Sequence, residues 1–182
     1  YSPLGRNIQK PYAKGKVQYE EELAERFQNG EVVKGDTTHP GGKAYKTPGG
    51  RTVYGGGGIT PDIFVPFDTT HKDTMLLKLY YKATLSSFVY HYYIQNRDYF
   101  NRVASPSELV SKFIPGEREW AGLLMYAKKD TIVLDKISGK DKADLLQRMQ
   151  ALMGRQIWRN EGYFEVANRK DVTVQKAIAN FK

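Results

Sequence analysis

A chain of 182 residues, 40% hydrophobic and 13% aromatic, carries enough apolar material to repay the entropy of folding, and one domain or two small ones is expected. The absence of cysteine excludes disulfides, thiolate metal sites, iron–sulfur clusters and cysteine nucleophiles. With 28 Lys+Arg against 20 Asp+Glu the net charge is +8, and it is unevenly placed: residues 1–70 hold 9 and 8, residues 71–182 hold 19 and 12.

The chain starts Tyr1-Ser2-Pro3, with no initiator methionine and no signal-peptide pattern, so it is expected to be a piece of something longer. Residues 1–70 hold 12 of the 17 glycines and 6 of the 8 prolines, which predicts turns and short strands there and places a boundary near Asp68 to His71. Within this leader, Tyr19, Leu23 and Phe27 recur at i, i+4 and i+8, predicting one amphipathic helix over Lys16 to Gln28 with Asn29-Gly30 as its stop. Ala44 to Lys46 and Arg51 to Tyr54 flank Thr47-Pro48-Gly49-Gly50, a hairpin pattern in which Gly49 would take the positive φ. Ile63-Phe64-Val65, enclosed by Pro61 and Pro66, reads as a strand of at most four residues.

From residue 71 the pattern becomes helical. Thr70-His71-Lys72-Asp73 resembles a capping box opening one helix from about Lys72 to Arg102. Its expected buried stripe is Leu77, Tyr81, Thr84, Phe88, Tyr92 and Tyr99, broadened by Leu76, Tyr80, Ala83, Val89, Tyr90 and Ile94. Lys78, Lys82 and His91 make the apolar stretch from Met75 to Tyr93 a poor bilayer span. Ser105-Pro106-Ser107-Glu108 supplies a cap hydroxyl, a first-turn proline and a glutamate for a helix ending near Phe113, where Pro115-Gly116 follows. Helices are also predicted from about Glu117 to Lys129, Gly139 to Arg159 and Val172 to Phe181, the last capped by Asp171. The expected fold class is α+β: a β-rich leader, residues 1–70, and an all-α region, residues 71–182.

Motifs of catalysis do not assemble on spacing. His39, His71 and His91 show no metal-ligand pattern; His39 reads as a loop residue and His91 as a partly buried member of an aromatic helix. The run Gly55 to Gly58 lacks the lysine and the following helix of a phosphate loop, and reads as a turn or a site of close backbone packing. Lys140, Asp144, Arg148, Arg155 and Arg159 share a helical face opposite Leu146, Met149, Met153 and Ile157, as a solvated surface helix would show. The tyrosines between residues 80 and 99 have core spacing rather than that of a stacking platform. Neither Ser-x-x-Lys nor Gly-x-Ser-x-Gly occurs around Ser2, Ser86, Ser87, Ser105, Ser107, Ser111 or Ser138.

Two segments carry a family resemblance. Tyr1-Ser2-Pro3-Leu4-Gly5-Arg6-Asn7-Ile8-Gln9 resembles the Tyr-Thr-Pro-Ser-Gly-Arg-Ser-Ile-Gln signature of the carboxyl-terminal processing peptidases, or tail-specific proteases. The stretch Gly50-Arg51-Thr52-Val53-Tyr54-Gly55-Gly56-Gly57-Gly58-Ile59-Thr60-Pro61-Asp62-Ile63 resembles the Gly-Ile-x-Pro-Asp-Ile segment that follows in that family, in the same order. The region from Lys10-Pro11-Tyr12 to Gly30 is similar to an insertion of the Bacteroidetes-type members. Ala151-Leu152-Met153-Gly154-Arg155-Gln156-Ile157-Trp158 with Glu161-Gly162-Tyr163-Phe164 is similar to their tail.

The resemblance implies a serine endopeptidase that cleaves proteins near their C-termini with a Ser–Lys dyad, and a PDZ domain that recognises substrate C-termini. In the family both precede the first motif, so no catalytic residue is assigned here, Ser2 standing at a non-catalytic threonine position. Residues 1–70 would then be the end of the catalytic domain and residues 71–182 a helical C-terminal domain, a fragment inactive alone that supports the catalytic part or shapes substrate access. No cofactor and no metal site are expected. The expected partners are protein or peptide substrates met through the full-length enzyme, together with the upstream catalytic and PDZ regions. Strand exchange or homo-oligomer formation could follow from open sheet edges. By resemblance the location is periplasmic or membrane-associated and extracytoplasmic. The rival reading is an independent basic helical module binding an anionic partner such as nucleic acid, which the interspersed acidic residues argue against.

Overall fold

The structure, a computed structural model, describes residues 2, 5–9, 15–17, 20, 21, 30, 34, 35, 42–56, 58, 59, 61–66 and 73–181. The chain divides into two compact units, Tyr1–Thr69 and Thr70–Lys182. Among the described residues a two-stranded antiparallel sheet precedes seven helices, a small α+β fold.

In the leader, β1 (Ala44–Lys46) pairs with β2 (Thr52–Tyr54) in the register Ala44↔Tyr54, Tyr45↔Val53 and Lys46↔Thr52. Tyr45 and Val53 are the half-buried pair, and the four flanking strand residues are exposed, the alternation a pleated ribbon imposes. The turn closes when the Gly50 N–H donates to the Thr47 carbonyl (2.8 Å) and the Thr47 N–H to the Arg51 carbonyl (2.8 Å). The positive φ falls on Gly50 (79°) and not on Gly49, one residue later than expected. The Arg51 N–H donating to Thr47 Oγ1 (3.1 Å) completes this longer loop, so the left-handed residue is the one rejoining the strand.

Ile63-Phe64-Val65 is not a strand: residues 61–66 have no strand pairing. Pro61 and Pro66 each lack an N–H, so only a short stretch between them could donate to a ladder. Residues 16, 17, 20 and 21 of the expected Lys16–Gln28 helix are helical, with Lys16 Nζ 3.7 Å from Glu20 Oε1; its apolar face, Tyr19, Leu23 and Phe27, lies outside the described residues. Gly30, its expected stop, takes φ 81°.

The single helix expected from Lys72 to Arg102 is instead three: α1 (Thr74–Tyr81), α2 (Thr84–Gln95) and α3 (Arg97–Phe100). Asp73 caps α1, its carboxylate accepting from Met75 N (2.7 Å) and Leu76 N (3.4 Å), while Thr70, His71 and Lys72 of the expected entry lie outside the described residues. Ala83 takes a left-handed conformation (φ 53°, ψ 24°) and Asn96 has φ −118°, which end the helical run at those points. Breaking the run resets its phase. Leu76, Leu79, Thr84, Leu85, Phe88, Val89 and Phe100 are buried, whereas Leu77 is 61% and Tyr81 93% exposed, and Tyr99, Tyr80, Tyr90 and Ile94 are also exposed.

Three further helices follow the expected outline closely. α4 (Pro106–Lys112) starts at Ser105, whose Oγ accepts from Glu108 N (3.2 Å), and Glu108 Oε2 reaches back to Ala104 N (2.6 Å). α5 (Glu117–Ala127) runs into a 3₁₀ turn, Lys128–Asp130. Glu119 Oε2 caps its start by accepting from Gly116 N (2.9 Å). α7 (Val172–Asn180) begins at Asp171, whose Oδ1 accepts from Val174 N (2.9 Å), and buries none of its residues.

α6 (Gly139–Ala167) begins at Ser138, whose Oγ accepts from Asp141 N (3.0 Å), and extends beyond the expected end at Arg159. Trp158 (φ −123°, ψ 18°) and Arg159 (φ 60°, ψ −142°) are not helical, and there the chain turns back on itself. A Cβ built on Gly154 would lie 2.7 Å from the Gly162 carbonyl oxygen, and one on Gly162 would lie 2.5 Å from that of Gly154. A straight helix would hold residues eight apart about 12 Å from one another. The two glycines therefore let the arms of this reversal touch backbone to backbone.

α2 is the central element, packing against α1, α5 and α6, while α4 packs on α6. Leu109, Leu123, Ile132, Leu134, Leu145, Met149 and Met153 are almost fully enclosed, each burial contributing about 1.5–3 kcal/mol. Phe88, Tyr92, Phe100 and Phe113 form one aromatic chain at centroid spacings of 5.2 to 6.2 Å. Gln150 is the polar residue sealed beside them, its Nε2 donating to the carbonyls of Val110 (3.1 Å) and Phe113 (2.5 Å), which closes the end of α4. Among the described residues no helix is long and apolar enough to cross a membrane.

Candidate functional site

The two motif segments of the leader meet. The Gly56 N–H donates to the Asn7 carbonyl (2.8 Å), the Gly58 N–H to the Ile8 carbonyl (2.8 Å) and the Gly55 N–H to the Lys43 carbonyl (3.1 Å). Three amides of the glycine run are thus spent on backbone carbonyls, which answers the phosphate-loop alternative: close packing, not an anion cradle, uses these N–H groups. The packing needs the missing side chains. Gly55 is buried, with the place of its Cβ 3.2 Å from both the Asn7 carbonyl oxygen and the Tyr45 ring, and a Cβ on Gly42 would fall 1.9 Å from the Gly55 carbonyl oxygen. Gly56 and Gly58 adopt φ 84° and 86°, a region that favours glycine.

The segment that Gly56 and Gly58 meet is itself fastened by Ser2. The Ser2 carbonyl accepts from Gly5 N (2.8 Å), the Ser2 N–H donates to the Arg6 carbonyl (2.9 Å), and Ser2 Oγ accepts from Arg6 N (3.2 Å). This is a turn-stabilising hydroxyl. On the other side Arg51 Nη1 bonds Asp62 Oδ2 at 2.7 Å and ties the hairpin loop to the residues after the glycine run.

Other serines also serve local structure. Ser105 and Ser138 cap helices, Ser111 Oγ donates to the Glu108 carbonyl (2.9 Å), and Ser107 Oγ accepts from Arg169 Nη2 (2.6 Å). His39 and His71 lie outside the described residues. His91 is exposed rather than partly buried, its ring 5.5 Å from that of Tyr126 and 5.7 Å from that of Tyr90. Lys140, Asp144, Arg148, Arg155 and Arg159 are exposed on α6, while Met149 and Met153 are buried and Leu146 and Ile157 pack against the core. Arg148 also covers the Tyr80 ring at 4.8 Å. Among the described residues no group of three or more His, Asp or Glu is arranged to hold a metal ion.

The helical unit holds two polar couplings that sequence spacing did not disclose. Tyr92 OH donates to Glu119 Oε1 (2.8 Å), joining α2 to the cap of α5. Burial, reinforced by this bond, pushes the Tyr92 hydroxyl up to about 12. Burial alone would raise Glu119, but the Gly116 N–H and the Tyr92 hydroxyl outweigh it and hold the carboxyl below its usual value. The second coupling is the Thr84 hydroxyl, sealed from solvent, donating to Asp130 Oδ2 at 2.5 Å. Partners 27 and 46 residues apart leave no periodic trace in the sequence.

A family of unknown function, DUF8443, has a model that matches residues 75–159, from α1 to the reversal in α6. Comparison with curated proteins and with solved structures gives no match. The matched stretch lies in the helical unit.

Proposed function

We propose that this chain is the C-terminal portion of a serine endopeptidase of the carboxyl-terminal processing type, its leader finishing the catalytic β-structure and its helical unit serving support or substrate access. The observation carrying this reading is the seating of the Gly50–Ile63 segment on the first motif, through Gly56 to Asn7 and Gly58 to Ile8. Two motifs nearly fifty residues apart act there as one structural piece. The peptide-bond chemistry would come from a serine and a lysine supplied by polypeptide upstream of Tyr1, the lysine taking the serine proton as attack begins. The partners are then protein or peptide substrates met through the full-length enzyme, together with its upstream catalytic and PDZ regions, and the compartment is periplasmic or membrane-associated and extracytoplasmic.

The test compares the purified 182-residue chain with a polypeptide extended upstream, using a protein substrate labelled at its C-terminus. The short chain should leave the substrate intact and the extended one should cleave it near the label. Cleavage by the short chain alone, or an inert extended chain with a folded catalytic part, would overturn the reading.

A further inference from the structure

α6 contains a reversal that its own sequence does not ask for. The stretch Gln156-Ile157-Trp158-Arg159-Asn160-Glu161 holds neither glycine nor proline, so local propensity favours carrying the helix straight through it. The turn is made instead at Trp158 (φ −123°, ψ 18°) and at Arg159 (φ 60°, ψ −142°), a positive φ that costs a residue with a side chain free energy. Gly154 and Gly162, which take a positive φ at little cost, do not carry it; they form the contact that the reversal brings about.

A short set of contacts holds the second arm, residues 160–181, to its own chain. The place of a Cβ on Gly154 lies 2.7 Å from the Gly162 carbonyl oxygen and 3.2 Å from Val166 Cγ2. Gly162 and Val166 are buried, Tyr163 and Ala167 pack against the core, and Arg169 Nη2 donates to Ser107 Oγ on α4 (2.6 Å). α7, at the far end of the arm, buries none of its residues and follows wherever the arm goes. Residue 158 lies midway between the two glycines. Two copies of α6 that run straight and cross antiparallel at that residue therefore bring Gly154 of each chain against Gly162 of the other, and a single two-fold axis closes the pair.

We propose that the chain exchanges residues 160–181 with a second copy of itself, α6 straightening at Trp158 and Arg159 to give a two-fold dimer in which each arm fills the place left by the other. Each contact named above re-forms in the exchanged pair, whereas the strain at Arg159 does not, and that difference offsets part of the entropy lost on association. The contacts themselves choose a second copy as the partner, since it alone carries the surface that Gly162, Val166 and Arg169 already fit. The proposal concerns the helical unit and does not depend on the peptidase reading.

Sedimentation velocity on the full chain, refolded from urea at low and at high concentration, tests it. A dimer should appear at high concentration. Arg159→Gly relieves the closed form and weakens the straight helix, so it should lower the dimer association constant at least about a hundredfold. Asn160→Ala, an exposed change to a better helix former, should raise that constant about fivefold. To identify the exchange, a Ser107→Cys chain and an Arg169→Cys chain are refolded together and treated with a short bismaleimide. Because the native chain has no cysteine, a cross-link joining positions 107 and 169, identified by mass spectrometry, reports an arm lying on the other copy. A chain that stays monomeric at high concentration, a dimer whose amount Arg159→Gly leaves unchanged, or a dimer in which positions 107 and 169 do not cross-link would each overturn the proposal.

Discussion

The leader and the helical unit are held by different physics. Every buried hydrophobic side chain among the described residues belongs to the helical unit, from Leu76 to Val166, whereas the described part of the leader is ordered by backbone hydrogen bonds and by glycines that admit close approach. A side-chain core tolerates polar surface variation but not loss of volume. A backbone-to-backbone contact tolerates loss of neighbouring side chains but not the addition of a single Cβ.

The sharpest way to test this contrast is to remove volume from the helical core. Phe100 is 1% exposed and touches Tyr92, Tyr93, Tyr99 and Phe113, so Phe100→Ala should destabilise that unit by about 4 kcal/mol, read from urea denaturation followed at 222 nm. An effect under about 1 kcal/mol would show that the aromatic chain is not tightly packed.

Adding one methyl group to the leader should do comparable local damage without removing anything. Gly42→Ala would set a carbon 1.9 Å from the Gly55 carbonyl oxygen, so the Gly55, Gly56 and Gly58 amides should exchange with solvent at least about tenfold faster. Amide hydrogen exchange by NMR measures it, and unchanged protection would sever the proposed dependence on bare backbone.

The smallest expected effect is electrostatic. Tyr92→Phe removes the bond to Glu119 and should cost about 1 kcal/mol near neutral pH. Because the folded protein holds the Tyr92 proton up to about 12, above the ordinary value of 10.0, its stabilisation is present below pH 10 and is lost as pH rises from 10 to 12. Glu119 runs the other way: lowered in the folded state, it contributes above the usual carboxylate range and loses that contribution as pH falls through its folded value. Parallel pH–stability curves should therefore show a shallower alkaline decline in Tyr92→Phe than in the native chain; identical slopes would remove Tyr92 from the account.

Local signals were legible wherever the deciding partner lay within a few residues. Ser105, Ser138 and Asp171 each satisfy an amide three residues on, and Pro106 fits the first turn, so the helix starts they mark stand where side-chain chemistry puts them. The hairpin was legible for the same reason, although its left-handed residue is Gly50 because the Thr47–Arg51 bonds lengthen the loop. The candidate sites were less legible. No spacing links Gly56 to Asn7, or Tyr92 to Glu119, 27 residues away.

Sequence alone determined the α+β class, the cysteine-free chemistry, the starts of α4, α6 and α7 and the place of the hairpin, since these depend on composition and on bonds between near neighbours. Tertiary structure decided where the apolar run beginning at α1 breaks, which tyrosines face water, and how α6 folds back over Gly154 and Gly162. At Ala83, continuing the helix would have satisfied local propensity. Asp130, brought up beneath Thr84 from 46 residues away, binds the far side of that break, and such a contact exists only once the chain has folded.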